Sequence, residues 1–177
     1  MIISVENLKK YDEFKNANND ELQLQLDSIE SLIRSYTNNN FQNRNVRIVC
    51  SSTNGILNGH SPYLQVGDTI QISQSNVNDG LYVINSLDNN VITLDANVYD
   101  NEINVITKVE YPKAIVQGVI NLLKWDKNNR NKVGIQSESI SRHSVTYFNQ
   151  DGANSTIGYP TSLLGFLNPF KKARSFK

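Results

Sequence analysis

The chain has 177 residues, enough for one full domain or for a small domain with a second one inserted into it. Its 17 basic and 17 acidic side chains give a formal net charge of zero, which argues against a protein that wraps nucleic acid over its whole surface and leaves room only for a local basic patch. One cysteine, Cys50, excludes an internal disulfide and a cysteine-based metal cluster.

The start, Met1-Ile-Ile-Ser-Val-Glu, lacks a basic region followed by a long apolar run, and no later segment approaches the roughly 18 apolar residues of a membrane span. The expectation is a soluble, unsecreted, intracellular protein. Polarity comes from Asn, Ser and Gln, and the runs Asn38–Asn40, Asn89-Asn90 and Asn128-Asn129 read as turns and loops.

Ser4 can cap a short helix from Val5 to about Phe14, with Val5, Leu8 and Tyr11 on one side. A second helix is better marked. Asn18 as N-cap and Glu21 form a capping-box variant, and Leu22, Leu26, Ile29, Ile33 and Tyr36 follow at steps of four and three, one apolar stripe facing a partner helix.

From about Arg44 to Glu110 the period becomes two. The runs Val46–Val49, Gly67–Ser73, Gly80–Ile84, Val91–Leu94 and Ile103–Val109 predict five short strands, with a hairpin turn at Asp88-Asn89-Asn90. They suggest a small barrel or sandwich occupying 44–110, inserted into a helical core formed by 1–43 and 111–177. The fold class is therefore α+β: a small helical bundle core, an inserted β domain, a polar β arm and a docking tail.

Helical periodicity returns at Pro112, which fits a first turn, and Ile115, Val119, Leu122 and Leu123 make an apolar face up to Trp125. Gly118 within it predicts a close approach by a neighbouring element, since glycine costs about 1 kcal/mol there against Ala. Asn128 to Lys132 reads as a polar loop. The next stretch, Gly134 to Tyr147, is β-prone at its end but has Ser and Thr where a buried strand would place Val or Leu. It suits a hairpin arm whose contacts come partly from a neighbouring subunit, with Ile135, Ser137, Ile140, His143, Val145 and Tyr147 as candidate inter-subunit residues.

Gly158 to Lys177 is the most unusual stretch. A short apolar turn is stopped by Pro169 and followed by alternating aromatic and basic side chains. Leu163, Leu164, Phe166, Leu167, Pro169, Phe170, Lys171, Lys172, Arg174 and Phe176 read as a docking surface for a partner, the apolar ones able to contribute roughly 1.5–3 kcal/mol each when fully buried. A last element folded back on its own domain is the other reading, and each can hold for a different half of the segment.

No active site assembles from these residues, and an enzyme is not expected. His60 and His143 occur in no metal-spaced pair, Cys50 follows a predicted strand as a small apolar-behaving side chain, and glycines occur singly, without a phosphate-binding loop. Asp12-Glu13 and Asp20-Glu21 are explained by solvated helix ends. Arg44, Arg47, Tyr63 and Tyr82 are candidate nucleic-acid contacts in the β domain, but that domain is acidic on balance. Neither metal nor cofactor is implied.

Taken in order, Tyr111-Pro-Lys-Ala-Ile-Val-Gln-Gly-Val-Ile120, then Gly134-Ile-Gln-Ser-Glu-Ser-Ile140 with Ser144-Val-Thr-Tyr147, then Leu163-Leu-Gly-Phe-Leu-Asn-Pro-Phe170 with its basic end, the chain resembles the head–tail connector (adaptor) family of tailed phages. The likeness covers about half of the chain and leaves out the β insert; related adaptors often read Ser-Ile-Gly-Asp-Tyr-Ser in the arm, where this chain has Ser141-Arg142-His143. The resemblance implies a ring of identical subunits, a dodecamer in the virion neck, docked beneath the portal protein and followed by a further neck or tail-completion protein. DNA would pass through its channel without sequence-specific binding, and the host cytoplasm would be the site of assembly. A cytoplasmic binding module that uses the β insert for a ligand or nucleic acid is the alternative.

Overall fold

The computed structural model describes residues 1–130, 137–140, 143–146 and 155–173, the two middle stretches as backbone strands. The chain divides into two compact units, one formed by Met1 with 40–111 and the other by 2–39 with 112–177. The first is a β unit and the second is mainly helical.

The β unit has six strands, β1 (Gln42–Thr53), β2 (Ile56–Asn58), β3 (Thr69–Ser73), β4 (Gly80–Asp88), β5 (Val91–Leu94) and β6 (Asn101–Val109). They pair antiparallel in the order β1-β2-β5-β4-β3-β6, and β6 returns to pair with β1, so the sheet closes on itself. Closure leaves no unpaired edge. Isoleucine and leucine side chains at alternate positions, among them Leu57, Ile70, Ile72, Ile84, Ile92 and Ile106, fill the interior together with Cys50. Five strands were expected and six are present. The missed one, β2, has only three residues, too few to show a period, yet the Asn54-Gly55 turn before it (φ 53° and 81°) is a strong hairpin signal. Asn89 (φ 48°) lies in the β4–β5 turn at the expected place.

In the helical unit, α1 is confined to Val5–Leu8, capped by Ser4, and a 3-10 turn follows at Asp12–Phe14. The single helix expected to run to Phe14 is interrupted at Tyr11, whose backbone is extended. Leu8 and Phe14, six positions apart, would point about 240° round a continuous helix, whereas the break lets both be buried. The main helix α2 spans Asn19–Thr37; the Asn18 side chain accepts from the Asp20 and Glu21 N–H groups, and Asn38 ends it in the left-handed conformation. Leu22, Leu26, Ile29 and Ile33 are its buried stripe.

Helix α3 spans Lys113–Asn129, with Pro112 just ahead of its first turn and Ile115, Val119, Leu122 and Leu123 buried. It extends into the expected polar loop, because Arg130 holds the last turn in place: its guanidinium pairs with Asp126 and stacks over Trp125 and Tyr159. Two short hairpins follow, β7 (Ser137–Ile140) with β8 (His143–Thr146), and β9 (Ser155–Thr156) with β10 (Tyr159–Pro160). A 3-10 helix, Thr161–Phe170, then packs on α2 and α3. No helix among the described residues is long and apolar enough to cross a membrane.

Candidate docking site

The Thr161–Phe170 helix decides which residues of the expected docking tail are available. Leu164 and Leu167 are buried in the core of the helical unit, Leu163, Phe166 and Phe170 are half-buried, and Pro169, Lys171 and Lys172 are exposed. Leu164 and Leu167 are therefore not free anchors for a partner; they serve the chain's own core, which corrects the expectation for this half of the segment. Phe166 lies against the bare backbone of Gly118, the close approach that this glycine announced. Arg174 and Phe176 lie outside the described residues.

Beyond Pro169 the chain is clasped to the end of α2 by polar contacts. The Lys172 N–H donates to the Thr37 carbonyl at 2.8 Å, one of the carbonyls a helix end leaves without an internal partner. Asn39 Nδ2 donates to the Phe170 carbonyl at 3.0 Å and Asn38 Nδ2 to the Ala173 carbonyl at 2.9 Å. Lys171 Nζ lies 4.2 Å from the Tyr36 ring centroid and donates to its hydroxyl at 2.8 Å. A cation here also meets the negative end of the α2 dipole. The Asn38–Ala173 and Lys171–Tyr36 bonds are exposed, and water competes for them, whereas the Asn39–Phe170 bond is partly buried.

On another side of the helical unit an open groove of about 980 Å³ runs between α2, α3 and the β9–β10 turn. Its walls include Leu24 and Leu32, both exposed, with Leu22, Ile29 and Leu123 beneath and Arg130 and Lys127 at the rim. The Tyr159 hydroxyl donates to Asp126 Oδ2 at 2.6 Å at the same rim, and burial, followed by this bond to a carboxylate, pushes the Tyr159 phenol well up. Ile157, which also lines the groove, is held at φ 50° at the tip of its hairpin, an uncommon conformation for a β-branched side chain.

Of the candidate arm residues, Ser137 and Ile140 stand on β7 and His143 and Val145 on β8, with Ile140 opposite His143 and Glu138 opposite Val145. Ile135 and Tyr147 lie outside the described residues. The β7–β8 hairpin pairs with no other strand among the described residues. His60 is exposed in the loop after β2. Cys50 is buried in the closed sheet, where desolvation raises its thiol to about 11. Tyr82 is shifted in the same direction, first by desolvation and then by the carboxylates of Asp95 and Asp79.

One feature had no signal in the sequence, where Asn78 falls between two expected strands and Asn104 within the expected strand Ile103–Val109. Asn78, Asn104 and Ser52 form a buried polar network inside the β unit. The sequence matches no protein-family model and no curated protein.

Proposed function

We propose that this chain is a structural head–tail connector of a tailed bacteriophage, a non-enzymatic adaptor whose copies form a ring beneath the portal protein around the DNA channel. The observation that carries this reading is the β7–β8 hairpin, a two-stranded sheet with both outer edges unpaired among the described residues. Such a hairpin is marginal in water by itself and gains from strands or side chains supplied by a neighbour. Heterologous contacts of this kind are what a cyclic assembly uses. The order of the Tyr111-Pro segment, the Ser-rich arm and the Leu163–Phe170 segment supports the family, and the zero net charge suits a conduit, because strong phosphate neutralisation would hold DNA in place.

In this reading the portal contact falls to what the folded 3-10 helix leaves outside: Pro169, Lys171 and Lys172, continued by Arg174 and Phe176, with the half-buried Leu163, Phe166 and Phe170 at its margin. The opposite side of the ring meets the next neck or tail-completion protein. Each subunit's arm reaches a neighbouring copy, and the apolar groove beside α2 is a surface on which a neighbour can rest. The protein belongs to the virion neck and assembles in the host cytoplasm, without metal, cofactor or membrane.

The test is electron microscopy of the full chain mixed with isolated portal rings from tailed phages. A second ring of density following the portal's symmetry is expected, and deletion of 137–146 should abolish it while leaving the subunit folded. A chain that binds none of the portal rings, or that forms the ring equally well without its arm, contradicts the proposal.

A further inference from the structure

One end of the closed sheet is built from residues 74–79, between β3 and β4, and from the stretch that leads from Asp95 into the start of β6. A satisfied polar network locks these two segments together. Asn78 Nδ2 donates to the Tyr99 carbonyl at 2.9 Å and to Asn104 Oδ1 at 3.0 Å, while the Tyr99 N–H donates back to Asn78 Oδ1 at 2.8 Å. Asn104 Nδ2 donates to Ser52 Oγ at 3.0 Å, and Asn101 Nδ2 donates to the carbonyls of Ser75 at 3.0 Å and Ile103 at 2.9 Å. The amide donors of Asn78, Asn101 and Asn104 are thus engaged inside the protein.

Three of the outward side chains on this fixed backbone are large and apolar. Tyr99 is 73% exposed, Val77 56% and Ile103 55%. They stand on adjoining segments, since Tyr99 is bonded to the residue after Val77 and Asn101 joins Ser75 to Ile103. Around them the charge has one sign: Asp79, Asp100 and Glu102 are exposed, and no Lys or Arg occurs between Arg47 and Lys108.

We propose that this end of the β unit is a docking surface for a protein partner that presents an apolar pocket rimmed by Lys or Arg side chains. An aromatic and two aliphatic groups on a backbone that is already ordered lose little freedom on binding, which is the condition under which a few side chains dominate an interface. The carboxylates choose the sign of the partner and speed its approach, and they repel nucleic acid.

The experiment uses the full chain as bait and a displayed library of random dodecapeptides as probe. Enriched peptides should combine aromatic or aliphatic residues with Lys or Arg. Their affinity should fall about tenfold or more in the Val77→Ser/Tyr99→Ser double variant, a difference of roughly 1.4 kcal/mol, and it should fall with added salt. Asp100→Lys/Glu102→Lys, which leaves the apolar groups in place, should weaken binding several-fold. Absence of enrichment, selection of acidic or uncharged peptides, or unchanged affinity in folded double variants would overturn the proposal. So would binding of the chain to a glycan array that is lost in Tyr99→Ser, which would make the surface a carbohydrate site.

Discussion

The ring of Phe166 rests so closely on Gly118 that a β-carbon at Gly118 would overlap the ring atoms Cε2, Cδ2 and Cζ. A glycine inside α3 is thereby explained by packing, at the expense of helix propensity. Gly118→Ala should destabilise the helical unit by about 1–3 kcal/mol in urea unfolding, although alanine is the better helix former. Combining it with Phe166→Ala should cost much less than the sum of the two single changes. An additive pair would mean that the ring does not depend on this glycine.

Ending the chain after Pro160 should abolish cooperative unfolding of the helical unit. It removes Leu164 and Leu167, both buried, at roughly 1.5–3 kcal/mol each, and uncovers Gly118 and its neighbours. A chain ending at Ala173 should keep the parent's midpoint. The comparison is made by circular dichroism during denaturation, and a parent-like midpoint in the shorter chain would show the helix to be dispensable.

Residues 42–109 should be removable. Gln42 pairs with Val109, the Glu110 N–H donates to the Phe41 carbonyl at 2.9 Å, and the rings of Phe41 and Tyr111 are 4.7 Å apart, so the chain enters and leaves the β unit at adjacent points. A short Gly-Ser linker spans such a gap at modest loop-closure cost. Soluble, helical protein is expected; aggregation or loss of the unfolding transition would show that the helices require the β unit.

Asn78→Ala should cost about 2–3 kcal/mol, because it leaves Asn104 Oδ1 and the Tyr99 main chain without their buried partner. Loss of the Tyr99 and Asn101 amide signals from their native positions in NMR spectra, with the distant β4–β5 turn unchanged, would locate the damage. A variant as stable as the parent would remove the network from the account of this end of the sheet.

Alkaline pH should weaken the β unit through Cys50. In the unfolded chain a thiol ionises near pH ~8.5. Burial holds Cys50 neutral to about 11. The contribution of the neutral buried thiol is complete below the unfolded value and is lost as pH rises from there towards 11. Cys50→Val should flatten this loss in urea midpoints between pH 7 and 10.5. Alkylation of the native thiol at the rate of free cysteine would contradict the burial.

The sequence determined what depends on neighbours along the chain. The Asn18 cap, the Leu22–Ile33 stripe, the turn asparagines and the change of period near Arg44 each act within a few residues, and α2, α3 and most strands follow from them. Contacts between distant residues were settled only by the tertiary structure. An apolar run such as Leu163–Leu167 serves its own core or a partner equally well, because burial is favourable without being directional, so only its packing on α2 and α3 shows where Leu164 and Leu167 go. Gly118 announced a close neighbour, but Phe166 could not be named until the fold brought the two together. The closure of the sheet and the Asn78–Asn104 network are likewise decided by pairings far apart in the chain, where Asn78 by itself reads only as a residue between strands and Asn104 only as a position within one.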